Sequence, residues 1–241
     1  MLKSSMDSSK DYYYYTHFAP EVRTHIESGA FRALCQHLDE RSDTVNNIDL
    51  MIVAGFGRNC LAKWLVKEAR TLAADIENDD PKGAALLDAF GHSQATREVY
   101  GCDFFRWKKK HPQKATFEQM QLYQESEPIH AVHKEDKSKR GMTVAMTEEY
   151  EKKFKMRIEA GAFRSLLQHL SERSDVIQNI TLMSVGGFCR NCLAKVSFPE
   201  LLLATSFAGI LLATSTTTSF INLSMSYFTS TNAHPSFKLK I

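Results

Sequence analysis

Between Val22 and Leu38 the apolar residues Val22, Ile26, Ala30, Ala33, Leu34 and Leu38 recur at steps of three and four, which places them on one face of a helix. The stepping returns at Phe154, Ile158, Ala162, Leu166 and Leu170. Both patterns predict amphipathic helices, and both run out at the polar tetrapeptide ERSD (Glu40 to Asp43, Glu172 to Asp175), whose Ser and Asp are expected to cap whatever helix follows. A second helix is expected from NIDLM or NITLM onward, carrying the cysteines. Gly55 interrupts it in one place and Gly186 with Gly187 in the other. A glycine inside a helix costs about 1 kcal/mol relative to Ala, so these positions predict a close helix approach or a bend. Farther along, Trp64 to Ala74 reads as helix, Asn78 to Gly83 as an acidic loop and Ala84 to Phe90 as a short helix. Tyr100, Phe104 and Trp107 stand at helical or turn spacing and are assigned to core packing. Thr116 and Gln119 spell a capping box ahead of a helix over Phe117 to Glu125.

The two amphipathic patterns belong to a repeat. Residues 23–63 return without a gap as residues 155–195, with 27 identities in 41 positions at a constant offset of 132. One folding unit has been written twice. The second version stops matching after Lys195, where Val196 stands in place of Trp64. The expected organisation is therefore a disordered leader at 1–16, a complete helical unit at 17–135 and a linker at 136–147, marked by the charged run Lys134 to Arg140. A truncated second unit at 148–195 follows, with Thr147 as the cap of its first helix, and then an unrelated Ser/Thr/Leu-rich tail at 196–241. The dipeptide Val196-Ser197 can be encoded by the six bases that commonly open a spliceosomal intron, and the tail reads as translated intron. The expected fold class is all-α, a tandem repeat of a small helical unit.

Composition narrows the function. An apolar share of 43% suffices for a buried core, and a net charge of +2 leaves no electrostatic footprint for nucleic acid or an anionic membrane. Five cysteines, an odd number, together with a first stretch lacking the apolar run of a secretory signal, point to a reducing, cytoplasmic setting, with an organelle as the alternative if the Ser- and Tyr-rich leader is a presequence, against which its acids count. Leu201 to Ala213 is apolar for only about thirteen residues, short of the roughly twenty that a membrane-spanning helix needs.

NIDLM, the run GFGRNCLAKW ending at Trp64, REVYG from Arg97 to Gly101 and the pair Trp107-Lys108 resemble a family of short, uncharacterised, all-helical bacterial proteins with the hallmark GFCRNCLxKW. The resemblance spans roughly Val22 to His133 and the first half of a second unit. It implies an all-helical fold and self-association between units or subunits, and it supplies no activity. Gly57 stands where the hallmark has its first cysteine, whereas the second unit keeps Cys189, Arg190, Asn191 and Cys192.

Candidate chemistry is sparse. Cys189 and Cys192, at i and i+3 on a helix, can ligate one metal ion or form a redox pair, with Arg190 lowering a thiol pKa. The soft thiolates favour zinc, and His169, the counterpart of His37, is the nearest candidate for a third ligand. Buried cysteines also serve as small apolar residues, and histidines at the edge of an apolar face are commonly hydrogen-bonded structural groups. Arg58 with Asn59 and Arg190 with Asn191 can bind a carboxylate or phosphate, or satisfy helix-end carbonyls that the glycines expose. No nucleophile elbow, phosphate-binding glycine loop or His-Glu metalloprotease signature is present. The expected function is a binding or self-association module without a catalytic motif; the rival is a thiol- or zinc-dependent enzyme or redox protein centred on Cys189 and Cys192.

Overall fold

Pro20 opens the first helix, α1 (Pro20–Glu40), at a position where its missing N–H is not needed and its fixed φ suits the first turn. Ile26, Ala30, Leu34 and Leu38 are buried as their spacing requires, and Phe31 and Cys35 widen the stripe. Full burial of a leucine or phenylalanine contributes about 1.5–3 kcal/mol, so this stripe anchors the helix. The computed structural model describes residues 18–133 and 148–195, all within one unit of the chain. The leader, the linker, the Thr147 cap and the tail lie outside the described residues.

The polar tetrapeptide does not cap the next helix. α2 (Asn47–Ala54) has Asn46 at its N-cap with no side-chain capping bond. Ser42 turns back instead, its Oγ donating to the Asp39 carbonyl at 2.6 Å, and Asp43 accepts from or pairs with His111 Nδ1 at 2.7 Å. A capping side chain must reach amides two or three residues ahead, and Ser42 and Asp43 stand farther than that from the start of α2. The single helix expected from NIDLM is two helices. Gly55 adopts φ 67°, ending α2, and the chain restarts as α3 (Arg58–Ile76). Both readings of the glycine hold, because the backbone bends here and another segment approaches closely. A Cβ on Gly55 would lie 2.0 Å from the Ile129 carbonyl oxygen, and Ala131 N–H donates to the Gly55 carbonyl at 2.7 Å.

Asp80 caps α4 (Pro81–Asp88) by accepting from the Gly83 amide at 2.9 Å, so the acidic loop ends earlier than its composition suggested. α5 (His92–Tyr100) and α6 (Phe104–Lys110) are separated by Gly101 at φ 65°. Tyr100 and Trp107 are buried with ring centroids 4.8 Å apart, as core aromatics. α7 (Phe117–Glu125) carries the capping box formed by Thr116 and Gln119, and a 3-10 turn covers Glu127–Ile129.

In the second half, α8 (Glu148–Glu172) buries Phe154, Ile158, Ala162, Leu166 and Leu170, and α9 (Asn179–Gly186) ends at Gly187 with φ 70°. Residues 190–195 are helical again. α8 packs against α1 on one side and α3 on another, while α2 meets both α9 and α7. Gln119 on α7 donates to Asp49 on α2 at 2.7 Å. The corresponding outer face of α9 leaves Ile180 71% exposed. Among the described residues there is no strand, and no helix is long and apolar enough to cross a membrane.

Candidate functional site

The α1–α8 contact is built from reciprocal pairs. Arg32 pairs with Glu159 at 2.5 Å, and Arg164 pairs with Glu27. Position 27 plus 132 is 159, and 32 plus 132 is 164, so each bond has its mate one repeat offset away. Moving from 27 to 32 on α1 moves from 164 to 159 on α8, so the helices run antiparallel. Their midpoint falls between Gly29 and Ala30 on one and Gly161 and Ala162 on the other; Gly161 itself turns toward α3, where a Cβ would lie 2.5 Å from Glu68 Oε2. Glu159 is 5% exposed. Burial pushes its carboxyl up, Arg32 and Lys155 pull it back, and the net shift is upward. Sequence reasoning passed over these pairs. The available signal was Glu and Arg five residues apart in a stretch that the two segments share at six of seven positions, too far around the helix to pair with each other and so free to reach a neighbouring helix.

The second reciprocal set involves the histidines. His37 Nε2 lies 2.9 Å from the Gly186 carbonyl oxygen, and His169 Nε2 lies 2.8 Å from that of Ala54. A carbonyl only accepts, so each Nε2 carries a proton and donates. Phe188 meets the His37 ring edge-on at 5.9 Å, and Phe56 meets His169 edge-on at 6.0 Å. These residues bring the glycine-bearing ends of α2 and α9 against the opposite long helices. Burial holds His169 below its ordinary value, and the bond to Ala54 opposes that only in part.

Arg58 is 1% exposed. Its guanidinium donates to the carbonyls of Leu38 at 2.5 Å and Val45 at 2.9 Å and to Asn47 Oδ1 at 3.2 Å, and it stacks 5.4 Å from the centre of the Trp107 ring. Arg190 repeats the pattern on Leu170, Ile177 and Asn179 at 2.6, 2.8 and 3.1 Å. Both arginines thus spend their donors on the end of the preceding long helix and the loop after it. Arg190 is the half-exposed one. Asn59 accepts from the Tyr100 hydroxyl at 3.0 Å, and Asn191 is exposed.

The cysteine pair has a different setting from the one its spacing suggested. Cys189 precedes the first helical residue, Arg190, and Cys192 lies on the first turn. Their Sγ atoms are 3.5 Å apart. Burial alone would raise the Cys189 thiol, but hydrogen bonds from the backbone and thiol of Cys192 and the backbone of Asn191 outweigh it, and the net shift is downward. His169 is engaged elsewhere, on Ala54 and against Phe56. Among the described residues no group of three or more His, Cys, Asp or Glu gathers around one point where an ion would sit. Two thiolates are half of a tetrahedral zinc site.

A family model described as a protein of unknown function (DUF1244) matches residues 45–125 and 177–198. The two stretches begin 132 positions apart, as the repeated segments do, and together cover less than half of the chain. The first runs from the residue before the α2 cap to the end of α7; the second covers α9 and the Cys189–Cys192 turn. α1 and α8 fall outside both. No curated protein and no solved structure matches the chain.

Proposed function

We propose that this protein is an association module in which one helical unit carries a partial second version of itself as an internal partner. The observation behind this reading is reciprocity. In a twofold homodimer residue i of one subunit contacts j of the other and j contacts i, and the pairs Glu27–Arg164 with Arg32–Glu159, and His37–Gly186 with His169–Ala54, follow that rule within one chain. Duplicating a self-associating unit places a pseudo-twofold partner at high effective concentration, which turns a concentration-dependent contact into a permanent one. The role is to present a helical platform, not to turn over a substrate; the similarity to a family of unknown function is compatible with it and adds no activity.

The test is to separate the halves without removing either. A protease site engineered within 136–147 is cleaved in the purified protein, and the products are run on a sizing column at micromolar concentration. Co-elution of the two fragments is expected. Arg32→Glu should weaken their association, and adding Glu159→Arg should restore it, because the swap recreates the pair. Fragments that elute apart in the unaltered protein would refute the reading.

A further inference from the structure

Position 189 distinguishes the two segments. Its counterpart, Gly57, has extended backbone (φ −142°) that any residue adopts, and a Cβ there would meet Asn47 at 3.4–3.7 Å, ordinary contact distances. A side chain is therefore accommodated at this turn, and in the second segment that side chain is a thiol facing another. Cys60, the counterpart of Cys192, is 7% exposed and packs its sulfur 3.9 Å from Met51 Sδ, its thiol raised by burial; Cys189 is 8% exposed, so the neighbouring sulfur, not exposure, sets the second segment apart. Cys192 faces Cys189 at 3.5 Å instead.

Three features suit this pair to sulfur exchange. The sulfurs stand 3.5 Å apart and must approach by about 1.5 Å to reach the disulfide bond length. The backbone is pinned, because Arg190, between the two cysteines, holds the helix start to the Leu170 and Ile177 carbonyls. Cys189 sits just ahead of a helical turn whose amides bond its sulfur, an arrangement that favours thiolate. Cys35 differs, since burial pushes its thiol far up.

We propose that Cys189 and Cys192 form a reversible dithiol–disulfide pair that exchanges with low-molecular-weight disulfides of the glutathione class. The Cys189 thiolate attacks one sulfur of the disulfide, forming a mixed disulfide and releasing one thiolate. Cys192 then gives up its proton and attacks Cys189 Sγ, closing the intramolecular bond and expelling the second thiolate. Two protein thiols are oxidised by two electrons and one external disulfide is reduced to two thiols, which take up the two protons. The reverse sequence regenerates the dithiol.

The full chain is equilibrated without oxygen at pH 7 in glutathione buffers of graded redox ratio, acid-quenched, labelled with a maleimide after denaturation and read by peptide mass spectrometry. The expected result is the joint loss of label at Cys189 and Cys192 in one two-electron transition, while Cys35 and Cys60 stay labelled. Cys192→Ser should halt at a glutathione adduct on Cys189, and Cys189→Ser, which lacks the second sulfur 3.5 Å away, should close no intramolecular bond. The wild-type titration needs no variant to fold and decides the matter by itself. Retention of both labels in excess glutathione disulfide, or loss of one without the other, overturns the proposal.

Discussion

Replacing Arg58 by Met tests whether a buried cation serves as the bolt between the end of α1 and the start of α3. Methionine keeps the apolar stem and removes the donors. The carbonyls of Leu38 and Val45 then lose their partner in a dry environment, at about 1–3 kcal/mol each. Loss of the stack on Trp107 adds about 0.5–2 kcal/mol. A total of roughly 3–5 kcal/mol is expected, since leaving out the desolvation cost of the guanidinium recovers part of the sum. The chain contains its own control. Arg190 bonds the matching carbonyls of Leu170 and Ile177 but is half exposed, so water can replace it, and Arg190→Met should cost only about 1–2 kcal/mol. Urea unfolding followed by circular dichroism, with both variants analysed at a common slope, measures the two values. Equal losses, or a loss below about 1 kcal/mol for Arg58→Met, would refute the view that enclosure makes the difference.

Two further outcomes follow from the same contacts. His169 is held below its ordinary 6.5, so the unfolded chain takes up that proton first; the stabilisation from its neutral ring is fully present above about pH 6.5 and is lost as pH falls through the lower folded value. His169→Gln, whose amide can still donate to Ala54, should therefore lose less stability than the wild type between pH 7.5 and pH 5, measured by urea titration at each pH. Gly55→Ala combines left-handed backbone with a Cβ 2.0 Å from the Ile129 oxygen and should cost more than 3 kcal/mol or prevent folding, whereas Gly187→Ala, also left-handed, meets only side chains, His37 at 3.2 Å and Arg41 at 3.8 Å, and should cost about 1–2 kcal/mol; thermal melts that rank them the other way would show that the 129–131 segment yields.

Much of the local structure was legible because it depends on near neighbours. The three-and-four stepping of Ile26, Ala30, Leu34 and Leu38 specifies α1 whatever lies beyond it, and the Thr116–Gln119 box starts α7 through its own amides. The exact recurrence of IEAGAFR-like and GFxRNC-like runs at one offset required no structure to detect. Capping by ERSD fails because the pattern says which residues can cap but not where the next helix begins, and α2 begins only at Asn47, one turn before the buried Leu50. The single helix through Gly55 was misread for a related reason: a lone glycine is tolerated inside helices, and only the crossing segment at Ile129 and the left-handed φ make it a terminus. Sequence allowed the arginines to bind helix-end carbonyls and the histidines to be hydrogen-bonded structural groups, but the partners they take came from tertiary structure. Arg58 and Arg190 have the same sequence context, yet Trp107 encloses one while the other stays half exposed. Spacing permits Cys189 and Cys192 to share a helix face, but the sulfur separation of 3.5 Å and the backbone bonds to Cys189 depend on where Gly187 ends α9. Helix periodicity is a property of a few consecutive residues, whereas contacts such as Arg32–Glu159 and His169–Ala54 join positions more than a hundred residues apart, and those distances are set only when the helices have packed.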